Sequence, residues 1–240
     1  MWDGTSWVPN PYRPVLAPPV AAPYESADFR ALMIAIFLAV NVIGVALFLA
    51  FDGMELFQLQ QATRNDTVYF AEGMIAILAV LAYYGSFIPA VVFFCMWVHR
   101  VVRNMPALGS PDPRWTPRGA VIRCFVPFLN LLHPVYSVLD AWRGSRLDRR
   151  WNDLSSRMSL SPPFLIVGWW TAWLLARFIS WFSYSLQRSG DLDMQTAGYL
   201  SDIVGNMLLI ASALLAILVV RDITGRQETK NRLVASGQLV

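Results

Sequence analysis

The chain has 240 residues, of which 56% are hydrophobic and only 15% are charged. Soluble domains carry about 25% charged residues, so this composition excludes an ordinary soluble protein and indicates an all-α integral membrane protein. The formal net charge of +3 is not concentrated in a basic folded domain, so nucleic-acid binding is not expected.

Residues 1–30 are predicted to be a disordered or polyproline tail, because prolines at 9, 11, 14, 18, 19 and 23 remove backbone donors. Such a tail can be a docking peptide for a proline-binding groove or a plain tether, and we favour the tether. A cleaved signal peptide is not expected. The first apolar run begins about thirty residues into the chain and ends without a small-x-small cleavage site.

Four apolar runs are long enough to cross a bilayer as helices, since about 20 residues at 1.5 Å rise span a hydrocarbon core of ~30 Å. They are predicted at about 31–51, 73–98, 163–186 and 199–220. No segment alternates with the period of two that a membrane β-barrel requires. The sequence therefore predicts a four-helix transmembrane domain over 31–227, with a short C-terminal tail at 228–240.

The distribution of basic residues predicts the orientation, since short loops rich in Lys and Arg stay cytoplasmic. The segment 99–161 has ten arginines against four acids, whereas 52–72 and 187–198 have one arginine each against four and two acids. Both termini and the Arg-rich loop are therefore predicted to be cytoplasmic, at the inner membrane of a bacterium. The arginines of the loop are at 100, 103, 114, 118, 123, 143, 146, 149, 150 and 157.

Inside this loop, 117–144 is apolar but interrupted by Pro127 and Pro134, so neither half can span. Two short helices are predicted, at about 117–125 and 133–144. The second is amphipathic, with Val135, Val138, Leu139 and Trp142 on one face and Tyr136, Asp140 and Arg143 elsewhere. The pair either lies in the membrane interface or dips into it as a re-entrant segment.

The loop and its flanks carry a recognisable pattern. The runs WVHRVVRNMPALGS and WTPRGAVIRCFVPFLNLLHPVYSVLDAWRGS, the WW-x-x-W start of the third helix and the LAILVVRDITGRQ end of the fourth resemble the bacterial family called domain of unknown function 4328. The resemblance covers about 31–227 and implies a polytopic membrane protein with a proline-rich extension and no known reaction. The matching motif residues are Arg103, Asn104, Leu108, Gly109, Pro127, Asn130, Pro134, Trp142 and Arg143.

Arg177 is a charge in the middle of the third apolar run. Insertion of a charge costs about 2.5–3.5 kcal/mol, so it is expected to face protein or water rather than lipid. Trp173 and Trp181 flank it at four-residue spacing, which predicts cation–π contacts. Asp202 of the fourth helix is predicted at a depth about 7 Å from that of Arg177, which an arginine side chain can reach, and Asn206 follows one turn later. Asn41 of the first helix could join them.

This buried polar group has two interpretations. It could handle an ion, a proton or a small anion, or it could fix the packing of the helices through an interhelical ion pair. We favour the packing role, because one ion pair without a second acid is a poor conduction path.

Cys95, His99, Cys124 and His133 could in principle bind zinc, but their spacing is loose and contains no close cysteine pair. No catalytic constellation or phosphate loop is present, so no cofactor, metal or enzymatic activity is expected. The favoured function is a non-enzymatic membrane protein whose Arg-rich loop binds a protein partner or anionic lipid. The alternative is a small transporter or channel through Arg177, Asp202 and Asn206.

Overall fold

The computed structural model describes residues 23–61, 66–110, 113–147 and 163–238, and every regular element in these ranges is helical. The predicted tail lies outside the described residues as far as residue 22. So do four of the arginines that were counted above to predict the orientation, namely Arg64, Arg149, Arg150 and Arg157. The α-helices in chain order are α1 (Asp28–Gln60), α2 (Asp66–Asn104), α3 (Pro117–Ile122), α4 (His133–Gly144), α5 (Phe164–Gln187) and α6 (Leu192–Ala235). Single 3-10 turns occupy Pro106–Leu108, Arg123–Phe125 and Leu129–Leu131.

Four helices, α1, α2, α5 and α6, are long and apolar enough to span a membrane. They coincide with the four predicted runs but extend beyond them. The 33-residue α1 ends at Gln60, and the 44-residue α6 continues to Ala235 through much of the predicted C-terminal tail. At 1.5 Å per residue α6 is about 66 Å long, more than twice the ~30 Å hydrocarbon core, so its ends continue past that thickness.

Local sequence sets where several helices start. Thr116 accepts a hydrogen bond from the Gly119 amide and is followed by Pro117 at the first position of α3, a favourable helix start. Asp191 caps α6 by accepting from the amides of Asp193 and Met194. Both caps satisfy amides that a helix start leaves without intrahelical partners.

The bundle is built around α1, which packs against both α2 and α6, while α5 packs against α6. Gly44 permits the closest approach of α1 to α2, since a Cβ there would lie 2.6 Å from the Tyr83 amide nitrogen. The aromatic rings of Phe94 and Trp169, with centroids 5.7 Å apart, connect α2 to α5. We call the end that carries α3 and α4 the loop end, and the opposite end the far end.

The apolar core is divided into two clusters along the bundle. The loop-end cluster surrounds Trp97, whose indole nitrogen donates to Thr224 Oγ1 at 2.9 Å, and includes Val138 and Ala141 of α4. The far-end cluster contains Val45, Tyr83, Ala176 and Leu209. Since α4 contributes side chains to the main core, the loop is a packed part of the fold.

Burial in α4 includes residues of both predicted faces. Val138 and Leu139 are buried and Trp142 is half-buried, whereas Tyr136 is exposed. Asp140 is also buried, because arginines pair with its carboxylate from two directions (see below). Helical periodicity alone does not detect such a compensated charge.

Candidate functional site

Arg177 lies in the far half of α5, where it interacts with the Tyr83 hydroxyl of α2 and the Asp202 carboxylate of α6. Ser180 and Gln187 of α5 also interact with Asp202. The Nε atom of Arg177 is shielded from solvent and has no hydrogen-bond partner among the described residues. The guanidinium therefore faces polar groups of two other helices, α2 and α6.

The predicted indole partners of Arg177 lie elsewhere. Trp173 stacks on Trp170 with ring centroids 4.9 Å apart, and Trp181 is 68% exposed beside Phe178. None of the cation–π contacts in the described part of the chain involves Arg177. In a helix with 3.6 residues per turn, residues four positions apart are offset by about 40° around the helix axis. The offsets add up along the row, so Trp181 lies on a side of α5 that does not face the bundle.

Asn206 is joined to a residue that the sequence analysis did not select. Its side-chain amide donates to Asp52 Oδ2 of α1 at 2.9 Å, and both side chains are buried. The sequence places Asp52 in the loop after the first span because it follows the apolar run directly, but α1 continues past it. Asn41, considered as a further member of this group, donates to the Tyr83 carbonyl and to Ser86 Oγ.

At the loop end, the segment before α1 is held by the ends of α2 and α6. Glu25 forms ion pairs with Arg100 and Arg103, and its backbone exchanges two hydrogen bonds with the side chain of Asn104. Asn104 also donates to Gln227 Oε1 of α6 at 3.3 Å. The motif residues Arg103 and Asn104 thus tie the N-terminal segment to the bundle, and we call this set the Glu25 clasp.

Tyr24 completes the clasp by donating its hydroxyl proton to Glu228 Oε1 at 2.7 Å. Burial, and then this hydrogen bond to a carboxylate, raise the pKa of Tyr24 above its ordinary value of 10.0. The phenol is therefore neutral at any physiological pH and acts as a fixed donor.

The remaining motif residues build the packed loop. Asp140 pairs with Arg114 at 3.6 Å and with the motif residue Arg143 at 3.8 Å. Gly109 adopts φ 65°, a left-handed conformation that favours glycine, and ends the turn that buries Leu108. Lys230 of α6 donates to the Gly144 carbonyl at 2.9 Å, which satisfies an acceptor at the end of α4.

Arg123, Trp115 and His133 form a second cluster in the loop. The Arg123 guanidinium lies 3.3 Å from the centroid of the Trp115 ring, and the Trp115 and His133 rings are 5.7 Å apart. Burial and the nearby Arg123 charge lower the pKa of His133 from 6.5, so its imidazole is neutral at pH 7. Two donors of this cluster, Arg123 Nη1 and Trp115 Nε1, are shielded from solvent and have no acceptor among the described residues.

A partly open cavity of about 330 Å³ separates the two apolar clusters. Its walls come from α1, α2, α5 and α6, and its loop-end boundary includes the motif residues Asn130 and Pro134. Tyr83 contributes to the wall nearest the Arg177 site, but Arg177, Asp202 and Asn206 do not line the cavity. The cavity and the polar cluster are neighbouring but distinct features.

The four residues considered for zinc are distributed over several environments. Cys95 and Cys124 both line the cavity as free thiols. His133 is buried with its Nε2 atom 3.2 Å from Ser137 Oγ, and His99 is only half-buried at the end of α2. No group of three or more His, Cys, Asp or Glu side chains suited to a metal ion occurs in the part of the chain that the structure describes.

Four long apolar helices and a packed helical loop are features of the class of polytopic helical membrane proteins. The family model described as domain of unknown function (DUF4328) matches residues 56–225, more than two thirds of the 240-residue chain. The chain belongs to this family, as its loop motifs predict, although the match starts inside α1 rather than at 31. Comparison with curated proteins and with solved structures gave no match.

Proposed function

We propose that this chain is a non-enzymatic protein of a bacterial inner membrane, with both termini cytoplasmic, whose Arg-rich loop binds anionic lipid. The observation that carries this proposal is the exposed apolar tip of the loop, which lies beside arginines. The tip is formed by Ile122, Phe125, Val126, Phe128, Leu129, Leu131 and Leu132, all of which are exposed.

Phe128 is the most informative residue of the tip. It is 86% exposed and has φ 64°, a backbone conformation that a bulky residue adopts only at a cost of roughly 1–3 kcal/mol. Transfer of a phenylalanine side chain out of water contributes about 1.5–3 kcal/mol. Insertion of the tip into the bilayer would therefore offset the strain, which supports an interfacial or shallow re-entrant loop.

The arginines of the loop differ in whether their charge is already paired within the protein or is available to lipid headgroups. Arg100, Arg103, Arg114 and Arg143 are paired with Glu25 or Asp140. Arg118 is exposed on α3 and has no ion-pair partner among the described residues. A basic side chain next to an inserted apolar tip is placed for anionic headgroups, an attraction worth about 1 kcal/mol per residue near the surface.

The test compares charge reversals at the two ends of the bundle. Arg118→Glu should reduce the enrichment of anionic phospholipid around the protein in polymer-bounded native membrane discs by at least fivefold, as about 1 kcal/mol implies. Arg188→Glu, at an exposed arginine of the far end, should leave it unchanged. Equal enrichment in both variants would overturn the proposal. Loss of a stoichiometric co-purified protein from the first variant alone would instead indicate a protein partner.

A second candidate, a small transporter, is supported by the polar cluster in the far half. Asp202 interacts with the Arg177 guanidinium, and Asp52 lies close enough to Asp202 to interact with it, which gives the cluster the second acid that a proton or cation pathway needs. Asp52→Asn should then abolish proton-coupled or cation-dependent uptake in reconstituted vesicles. Identical ion flux in vesicles with the wild type, the variant or no protein would reject this candidate.

A further inference from the structure

The cavity between the two core clusters is too large to be a packing defect. Its volume of about 330 Å³ falls within the 300–1,000 Å³ of ligand sites, whereas ordinary protein interiors contain few voids larger than a water molecule. Its lining is mainly aliphatic and aromatic, from Leu38 and Phe94 to Trp170 and Trp173.

Two polar side chains of the lining have partners within the protein. Asn41 donates to the Tyr83 carbonyl at 3.1 Å, and Ser212 donates to the Trp169 carbonyl at 3.1 Å. These groups require no hydrogen bond from an occupant, and apolar cavities do not hold water well. The chemistry that fits the space is therefore a hydrocarbon chain.

A positive charge lies next to the loop-end boundary, although Arg123 and Trp115 do not themselves line the cavity. Cys124 lines the cavity, and the preceding residue, Arg123, stacks on Trp115. The two unpartnered donors of this pair, Arg123 Nη1 and Trp115 Nε1, can be satisfied by phosphate oxygens, which accept strong hydrogen bonds from guanidinium groups. A hydrocarbon chain and a phosphate within one molecule describe a phospholipid.

We propose that the cavity holds one acyl chain of an anionic phospholipid from the loop-side leaflet, with its phosphate at Arg123 and Trp115. The headgroup part rests on the proposed function, because it requires the loop to face an anionic leaflet. The acyl-chain part does not depend on it.

The acyl-chain part is tested by filling the cavity. Delipidated full-length protein in detergent is mixed with phosphatidylglycerol, and the bound lipid is counted by native mass spectrometry. Ala213 lines the cavity, whereas Ala211, on the same helix, is exposed and absent from the lining. Ala213→Trp should reduce one-to-one lipid retention at least tenfold, and Ala211→Trp should retain it. Equal retention in both variants would overturn the proposal.

A measurement on the unfilled cavity covers the case in which Ala213→Trp does not fold. In a Cys124→Ala background, added phosphatidylglycerol should slow the alkylation of Cys95 by a membrane-permeant maleimide at least fivefold, because both molecules compete for the same space. An unchanged rate would contradict an acyl chain in the cavity.

The headgroup part is tested by Arg123→Gln. This variant should lose the preference for phosphatidylglycerol over phosphatidylcholine of equal chain length while retaining a bound chain. An unchanged preference, or equal binding of a free fatty acid by the wild type, would overturn the phosphate assignment. The Arg118→Glu experiment measures only the enrichment of lipid around the protein. Its failure would contradict the proposed function of the loop, and this outcome is distinct from failure of the lipid site in the cavity.

Discussion

Asp52 of α1 and Asn206 of α6 form a buried 2.9 Å hydrogen bond between helices that are 154 residues apart in the chain. Asn206→Leu should lower the apparent free energy of unfolding by about 1–3 kcal/mol, because the carboxylate then loses its donor without access to water. Thermal unfolding in detergent measures the change.

The control for this pair is the double variant Asp52→Leu/Asn206→Leu, which removes both partners. If the two residues are energetically coupled, the double variant loses less stability than the sum of the two single variants. Strict additivity would show that the contact contributes nothing of its own.

Gly44 sets the spacing of α1 and α2. Gly44→Ala should destabilise the protein by about 1–3 kcal/mol, since the new Cβ would meet the Tyr83 backbone, which cannot move away as a side chain can. Gly85→Ala is the matched control, because nothing lies within 4 Å of a Cβ there. It should be neutral or stabilising, as alanine is the better helix former. Equal melting temperatures for the two variants would contradict the close approach.

Hydropathy was sufficient to locate the four long helices, because an apolar run of bilayer length has few alternatives. It could not locate their ends. Asp52 was placed in a loop since charge normally ends an apolar run, yet α1 continues for eight more residues to Gln60. A helix continues past a charge when a partner such as Asn206 compensates it, and such partners depend on tertiary packing.

In the loop, too, the positions of the helices follow from the sequence, whereas the contacts between them do not. The two prolines predicted two short helices, and α3 and α4 lie at those positions. The sequence did not indicate that Asp140 would be buried between Arg114 and Arg143, or that Tyr24 and Glu25 would form the clasp. The sequence did not predict the cavity either, because a void depends on the distances between helices and not on the sequence of any one helix.

The Glu25 clasp predicts how the N-terminal region affects stability. Glu25→Gln should lower the apparent unfolding free energy by about 1 kcal/mol, the upper end for partly exposed ion pairs, since Arg100 is only 13% exposed. The loss should shrink as salt is added, because salt screens the pair. Unfolding at low and high ionic strength measures both effects.

Two truncations serve as controls for the clasp. Removal of residues 2–22 leaves Tyr24 and Glu25 in place and should not change the melting temperature. Removal of residues 2–27 deletes both and should lower it at least as much as Glu25→Gln. Equal effects of the two truncations would show that the clasp does not contribute to stability.

Cys124 should be an unreactive thiol despite its position in a loop. Burial, and then the neighbouring Cys95, raise its pKa from 9.0 to about 11. Alkylation requires the thiolate, so at pH 8 its rate in a Cys95→Ala background, where burial alone still raises the pKa, should lie well below that of the same chain unfolded in SDS. The rate in the folded protein should keep rising above pH 9, and an inflection near pH 9 would show that Cys124 is solvated. Because an acyl chain beside Cys124 would exclude more water, added phosphatidylglycerol should move the inflection further upward, which connects the thiol chemistry of the loop to the occupancy of the cavity.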